Sequence, residues 1–343
     1  MKQGKFYSLK NIILLIIVIV LILFPYIVDS RTLTILMTQI FVFSILAISY
    51  DILLGYTGIV SFGHAMFFGM GAYSTAIMLS KYDHTMTIFL VSILVGMLFA
   101  GIVSFLVGLL TLRLKSHFFA MLTLAISGLF LVVAEKWRTV TKGNDGFTFR
   151  APDAFRDRIF FYFFVLACLV VIFLLLRRFV SSPLGKVLIA VRENEQRTRS
   201  LGFKTLYYKV FASIVAGVIA SLSGSLYAMS LRFVNTSVMS MDITLDALLM
   251  TIIGGVGTLV GPIIGSFVIE IAQHYLSGLA KDYPIFERWI IFFGLLYILA
   301  VIFFPRGIVG SIYSKYLIWK SKKVTSKQQS PTIPIANDKE RFD

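Results

Sequence analysis

A chain of 343 residues that is 58% hydrophobic, 14% charged and has a mean hydropathy of +0.87 does not describe a soluble domain, since soluble domains average about 25% charged residues. Its formal charge of +15 has meaning only once divided by side, because Lys and Arg collect in cytoplasmic loops of membrane proteins. The charges lie in short loops between apolar runs rather than on a solvated basic face, which argues against nucleic-acid binding. The single cysteine, Cys168, permits no intrachain disulfide, and the four histidines have no metal-ligand spacing, so neither a metal nor a cofactor is expected.

The chain opens with MKQGKFYSLK and an uncharged run at 11–28. That run is longer than a signal-peptide core, and no small-x-small cleavage site follows Phe24-Pro25-Tyr26, so it reads as a retained first span. Further apolar runs follow at 32–50, 52–80, 85–112, 116–134, 159–176, 210–231, 247–269 and 289–305. A helical span needs about 20 apolar residues. Lipid offers the backbone no partners, and no ten-residue apolar/polar alternation suggests a barrel. The expected fold class is an all-α polytopic membrane protein with about 8–10 transmembrane helices, some short or discontinuous.

Charge orients these spans. With the N-terminus in the cytoplasm, the cytoplasmic segments hold 21 of the 32 Lys/Arg against five acids. Nine simple spans would leave the basic C-terminal tail outside. The region 242–279 is broken by Gly254-Gly255-x-Gly257 and Gly261-Pro262. If it enters twice, as a short helix and then a full span, the count is even and both termini are cytoplasmic. The expected domains are a transmembrane permease domain at 1–313, with a cytoplasmic loop at 182–209 and an outer loop at 135–158, and a polar cytoplasmic tail at 314–343. The outer loop carries the turn-rich TKGNDG at 141–146.

Two glycine-rich apolar stretches are candidates for the pathway or its hinges. One contains Gly58, Ser61, Gly63, His64 and Gly71; the other contains Gly254, Gly255, Gly257, Gly261 and Pro262. Small residues at such spacing also serve plain helix packing, whereas glycine- or proline-interrupted apolar segments in both halves of a transporter point to its translocation site. Asp51 and Glu270 are the intramembrane acids, and His64 reads either as a packing histidine or as a pathway residue.

From Arg177 to Lys209 the chain carries eight Lys/Arg and two acids between apolar runs. This loop is either a topological anchor or a docking surface for a cytoplasmic partner. Pro183 can start a helix, Val187, Leu188 and Val191 share a helical face, and Gly202 is placed as a stop, so one amphipathic helix is expected up to Gly202. Gly185-Lys186 lacks the glycine and Ser/Thr of a phosphate-binding loop, and no catalytic motif occurs elsewhere. The chain is therefore expected to be no enzyme, and any ATP hydrolysis would come from a partner.

At this loop the sequence resembles the LivM-type permeases of branched-chain amino-acid ATP-binding cassette (ABC) importers, the LivHM family. The resemblance rests on five motifs in order: Gly55-Tyr56, Gly58, Ser61, Gly63-His64, Phe67 and Gly71-Ala72-Tyr73; Thr141, Gly143 and Asp145-Gly146; Ala190-Val191-Arg192-Glu193-Asn194-Glu195 with Leu201-Gly202 and Lys209; Gly254-Gly255, Gly257-Thr258 and Gly261-Pro262; and Pro305, Gly307, Ile308 and Gly310. The resemblance implies an ABC importer permease fold in the bacterial cytoplasmic (inner) membrane, surrounded by lipid. It implies a second, related permease subunit in a heterodimer, two cytoplasmic ATP-binding subunits and an extracytoplasmic substrate-binding protein. The 182–209 segment would contain the coupling helix, with Val191, Arg192, Glu193, Asn194, Glu195, Leu201 and Gly202 meeting the ATPase. The cargo would be branched-chain or similar small apolar amino acids. Urea/short-amide importer permeases share these motifs, and an ion-coupled secondary transporter using Asp51 and Glu270 stands as the alternative from another class.

Overall fold

The computed structural model describes residues 16–282, apart from Asp29 and 113–115, together with a scatter of positions between 291 and 311. The expectations for 1–15, for Arg113 and Lys115, for most of the run 289–305 and for the tail 314–343 lie outside the described residues. Within them the chain is helical almost throughout: α1 (Ile16–Ile27), α2 (Arg31–Asp51), α3 (His64–Lys81), α4 (Met86–Thr111), α5 (Ser116–Lys136), α6 (Arg138–Thr141), α7 (Arg158–Ser181), α8 (Pro183–Glu193), α9 (Glu195–Ser200), α10 (Thr205–Leu231), α11 (Met241–Gly254) and α12 (Val260–Asp282). Among the described residues, five helical segments are long and apolar enough to cross a bilayer: Arg31–Thr57, Met86–Thr111, Phe118–Lys136, Arg158–Ser181 and Thr205–Leu231. Large apolar side chains on their outward faces, such as Leu94, Leu98 and Leu110 of α4 and Met121 of α5, are more than half exposed, which suits hydrocarbon and not water.

α10 is the central post, packed against α2, α3 and α4, while α2 also packs on α7, α11 and α12. Small residues let these helices close up. A Cβ on Gly71 of α3 would lie 1.8 Å from the Ser221 carbonyl of α10, and one on Gly224 would lie 1.8 Å from the Phe68 carbonyl of α3. Hydroxyls bridge the seams: Ser44 and Ser266 join α2 to α12 at 2.5 Å, Ser104 and Ser213 join α4 to α10 at 3.0 Å, and Ser223 donates to the Val42 carbonyl at 2.7 Å. Without a hydrophobic drive between helices in lipid, such close contact and hydrogen bonding hold a bundle together.

Side chains cap the helices where the sequence places Ser, Thr, Asp and Asn. Thr85 accepts from the Ile88 amide, Asp157 from Ile159, Ser182 from Gly185 and Asn194 from Arg197. Three expectations are refined. The run 52–80 is not one span: α2 continues into a π-helical turn, Ile52–Thr57, leaves it at Gly58, and resumes as α3 only at His64. The loop helix is two helices, because Asn194 takes extended angles (φ −158°, ψ 97°) and caps a new start. The region 242–279 is divided as expected into two helices, the 14-residue α11 and the 23-residue α12.

A two-stranded antiparallel pair, β1 (Phe147–Thr148) with β2 (Phe233–Val234), joins the α6–α7 loop to the α10–α11 loop. It sits at one end of the 27-residue α10, with α8 and α9 at the other. A helix of that length rises about 40 Å, so the two ends belong to opposite faces of the bundle.

Candidate functional site

Four stretches of the chain, the first two contiguous in sequence, meet beside the C-terminal end of α8. The first is the end of α2. Asp51 is fully buried, and its carboxylate accepts the Gly257 amide at 2.7 Å and the Leu259 amide at 3.2 Å. The second is the π-helical turn that follows. There the Ile59 amide turns back to the Leu53 carbonyl, and the Gly55 carbonyl accepts from Arg192. A Cβ on Gly55 would lie 2.5 Å from the Gly257 nitrogen, so only glycine lets the two turns touch.

The third stretch is the link from α11 to α12. Gly255 (φ 128°), Gly257 (φ 76°) and Leu259 (φ 57°) all have positive φ. That is routine for glycine and strained for leucine, and Leu259 is the residue whose amide Asp51 holds. Thr258 closes the turn by donating to the Gly255 carbonyl and accepting the Gly261 amide, each at 2.8 Å. Pro262 falls in the first turn of α12, where its missing N–H leaves no helical bond unmade. The α11 and α12 backbones then run in direct contact: a Cβ on Gly254 would lie 1.8 Å from the Gly261 carbonyl. The fourth stretch is Gly307 (φ 70°), whose Cβ would lie 2.4 Å from the Gly255 Cα.

Arg192 is where α8 enters this cluster. Its stem passes Gly58, whose Cβ would be 3.2 Å from Arg192 Cγ, and its Nη1 fills the place of a side chain on Gly257 at 2.9 Å. Asp51 lies within electrostatic reach of the guanidinium. Leu188 and Val191 are buried beneath α8, while Val187 is half-buried. Glu193 is exposed, as are Leu184 and Leu201. Asn194 is used as a cap, and Gly202 (φ 89°) ends the loop with open space around it.

Glu195 has an internal task. Its carboxylate receives Lys209 Nζ at 2.5 Å, the Arg199 guanidinium at 2.7 Å and the Thr205 hydroxyl at 3.0 Å, so α9 is strapped to the start of α10. Partial burial by itself pushes this carboxyl up. The Lys209 hydrogen bond and charge, with the Thr205 and Arg199 hydrogen bonds, outweigh that and hold it below the usual glutamate range.

The other expected residues go elsewhere. Ser61, Gly63 and His64 knit the α2–α3 junction: the Tyr50 hydroxyl donates to the Ser61 carbonyl at 3.0 Å, His64 Nε2 meets Ser49 Oγ at 2.9 Å, and Gly63 abuts the Thr123 carbonyl of α5. Gly71 belongs to the α3–α10 seam. Glu270 is 7% exposed on α12, with Asp246 of α11 near enough to act on it electrostatically and both acids near enough to act on Tyr227 of α10. Sequence reading named Gly55 only within the early motif, not as a candidate site residue, and passed over Asp246, Tyr227 and Thr205. Gly55 carried a signal, being the first glycine of that motif; Asp246, Tyr227 and Thr205 are single polar residues without a local pattern.

The family model for the permease component of branched-chain amino acid transport systems matches residues 32–301. Among curated proteins, the high-affinity branched-chain amino acid transport system permease protein LivM of Escherichia coli is 27% identical over 154 residues, 45% of this chain and 35% of that protein. The probable branched-chain amino acid transport permease protein LivM of Methanocaldococcus jannaschii is 25% identical over 158 residues, 43% of this chain and 46% of that one. The autoinducer 2 import system permease protein LsrC of Photorhabdus laumondii is 30% identical over 94 residues, 26% of this chain and 28% of that protein. The matched part thus covers about a third to a half of the length of the two LivM proteins. No solved structure matches the chain.

Proposed function

The chain belongs to the family of branched-chain amino acid transport system permease components, and from that premise we propose that it is one permease subunit of an ATP-driven importer for branched-chain or similar small apolar amino acids. It lies in a bacterial cytoplasmic membrane with both termini in the cytoplasm. It pairs with a second, related permease, takes cargo from an extracytoplasmic binding protein and is driven by two cytoplasmic ATP-binding subunits. The observation that carries this reading is α8 with α9. They form a short amphipathic lever outside the spans, buried on Leu188 and Val191, exposed at Leu184, Glu193 and Leu201, and bound at Arg192 to the glycine turns.

The exposed side of α8 and α9 is the surface for the ATPase. Beside it Leu184, Gly202, Phe203, Lys204, Tyr207 and Phe211 border an open groove of about 660 Å³. The turns at Gly58 and at Gly254–Pro262 are hinges at the inner end of the pathway.

The deciding experiment reconstitutes the chain in liposomes with its paired permease and ATPase, and adds the cognate binding protein outside. ATP-dependent uptake of leucine, isoleucine or valine is expected. Uptake by the purified chain alone along an ion gradient would overturn the reading in favour of a secondary transporter. The likeness to an autoinducer 2 import permease favours one further cargo class, and a ligand screen on the binding protein separates amino acids from sugar-like or amide cargo.

A further inference from the structure

We propose that Arg192 is a positioning residue that ties the lever α8 to the α11–α12 turn, and that it does not itself form the contact with the ATPase. The proposal rests on the reading of the chain as an ATP-driven permease, and it reassigns the residue that sequence alone would give to the docking face.

Three elements close a ring around Arg192. Its Nη1 donates to the Gly55 carbonyl in the turn that ends α2. Asp51, one helical turn earlier, holds the Gly257 and Leu259 amides of the α11–α12 link. Gly257 in turn leaves just enough room for the guanidinium, since a Cβ there would stand 2.9 Å from Nη1. The contacts are made to backbone groups, so they move backbone: a shift of α8 pulls on the Gly55 carbonyl, and Asp51 passes the displacement to two amides across the gap. The receiving turn is suited to respond, because Gly255, Gly257 and Leu259 have positive φ and Gly307 packs directly on Gly255. The chain passes from α11 to α12 through this turn, 255–259.

Arg192 keeps exposed surface, yet the same geometry commits its guanidinium to the cluster rather than to a partner. Its stem lies along Gly58 and its head is engaged inside the cluster. Glu193, Leu184 and Leu201 are exposed as well, and they carry the partner contact.

The test uses the full complex of permease pair and ATPase in liposomes with the binding protein, comparing Arg192→Ala and Arg192→Lys with the unaltered chain. Arg192→Ala should co-purify the ATPase at the unaltered level and keep its basal ATP hydrolysis, while cargo uptake falls by about tenfold or more, the scale of a coupling free energy between linked sites. Arg192→Lys, whose single ammonium can still reach the Gly55 carbonyl, should recover part of that uptake. Hydrogen exchange on the same complexes supplies a readout independent of transport: the Gly257 and Leu259 amides should exchange about tenfold faster in Arg192→Ala. Loss of the ATPase on purification would return Arg192 to the docking face, and coupled uptake with unchanged Gly257 protection would sink the proposal. Failure of the unaltered complex to take up any cargo would count against the functional reading, with the exchange measurement still deciding the role of Arg192.

Discussion

The Asp51 carboxylate accepts the Gly257 amide at 2.7 Å across 206 residues of sequence. It also holds Leu259, so one buried side chain satisfies two backbone donors of a turn that no regular structure supports. Asp51→Ala leaves both amides without an acceptor, and each orphaned buried donor costs about 1–3 kcal/mol. The variant should unfold at clearly lower temperature in detergent, and Asp51→Asn, which keeps one acceptor, should fall between. A loss under about 0.5 kcal/mol for Asp51→Ala would mean that the turn finds other partners.

The α3–α10 seam is made by absent side chains. Gly71→Ala places a methyl 1.8 Å from the Ser221 carbonyl, so the helices must part along their length. Overpacking of this kind costs about 1–3 kcal/mol. Gly128→Ala on α5 adds the same methyl where nothing lies within 4 Å and serves as the neutral control. Equal melting temperatures for the two variants would contradict the packing described.

The Ser44–Ser266 hydroxyl pair is fully buried between α2 and α12. Ser266→Ala should cost about 0.6 kcal/mol and at most about 1.7, the range measured for hydrogen bonds between membrane helices. Ser44 also donates to the Ile40 carbonyl within its own helix at 2.7 Å, which keeps its hydroxyl satisfied in the variant and holds the loss at the low end. A double-mutant cycle with Ser44→Ala isolates the pair; strict additivity would show that the hydroxyls do not interact.

Glu195 gives the α8–α9 segment a pH dependence. Its carboxyl sits lower in the folded chain than in the unfolded one, with Lys209, Thr205 and Arg199 outweighing partial burial. Its contribution is therefore fully present above the unfolded glutamate value, about 4.3, and is lost as pH falls through the lower folded value. The carboxylate is partly open to solvent, so the loss is modest, about 1 kcal/mol. The protection factors of the 197–207 amides, corrected for the intrinsic slowing of exchange in acid, should fall on acidification in the unaltered chain and be low at all pH values in Glu195→Gln. The same exchange in both at neutral pH would remove the strap.

Much of the bundle was legible in the sequence because it follows from local composition. Lipid demands long apolar helices, and the runs from 32 to 231 announce them. The break between α11 and α12 was legible too, because Gly254-Gly255-x-Gly257 followed by Gly261-Pro262 cannot continue a helix. The break at Asn194 was less visible. Helix-forming residues continue on both sides, and only the Asn194 side chain, by capping the Arg197 amide, turns one helix into two. Glu195 was read as an outward contact because its helical neighbours are charged; it turns inward because Lys209, on the next helix, is 91% buried and has this carboxylate for its ammonium.

By itself the sequence determined a polytopic helical chain, the break between α11 and α12, and a short amphipathic segment between apolar runs. Each of these depends on the character of neighbouring residues. Only the tertiary structure decided that Asp51, Gly55, Arg192, Gly257 and Gly307 form one cluster, and that Glu270 belongs to another with Asp246 and Tyr227. The partners stand on different helices, and the groups that join them are mostly backbone carbonyls and amides. Every residue carries those, so no pattern of side chains marks the ones that will be used.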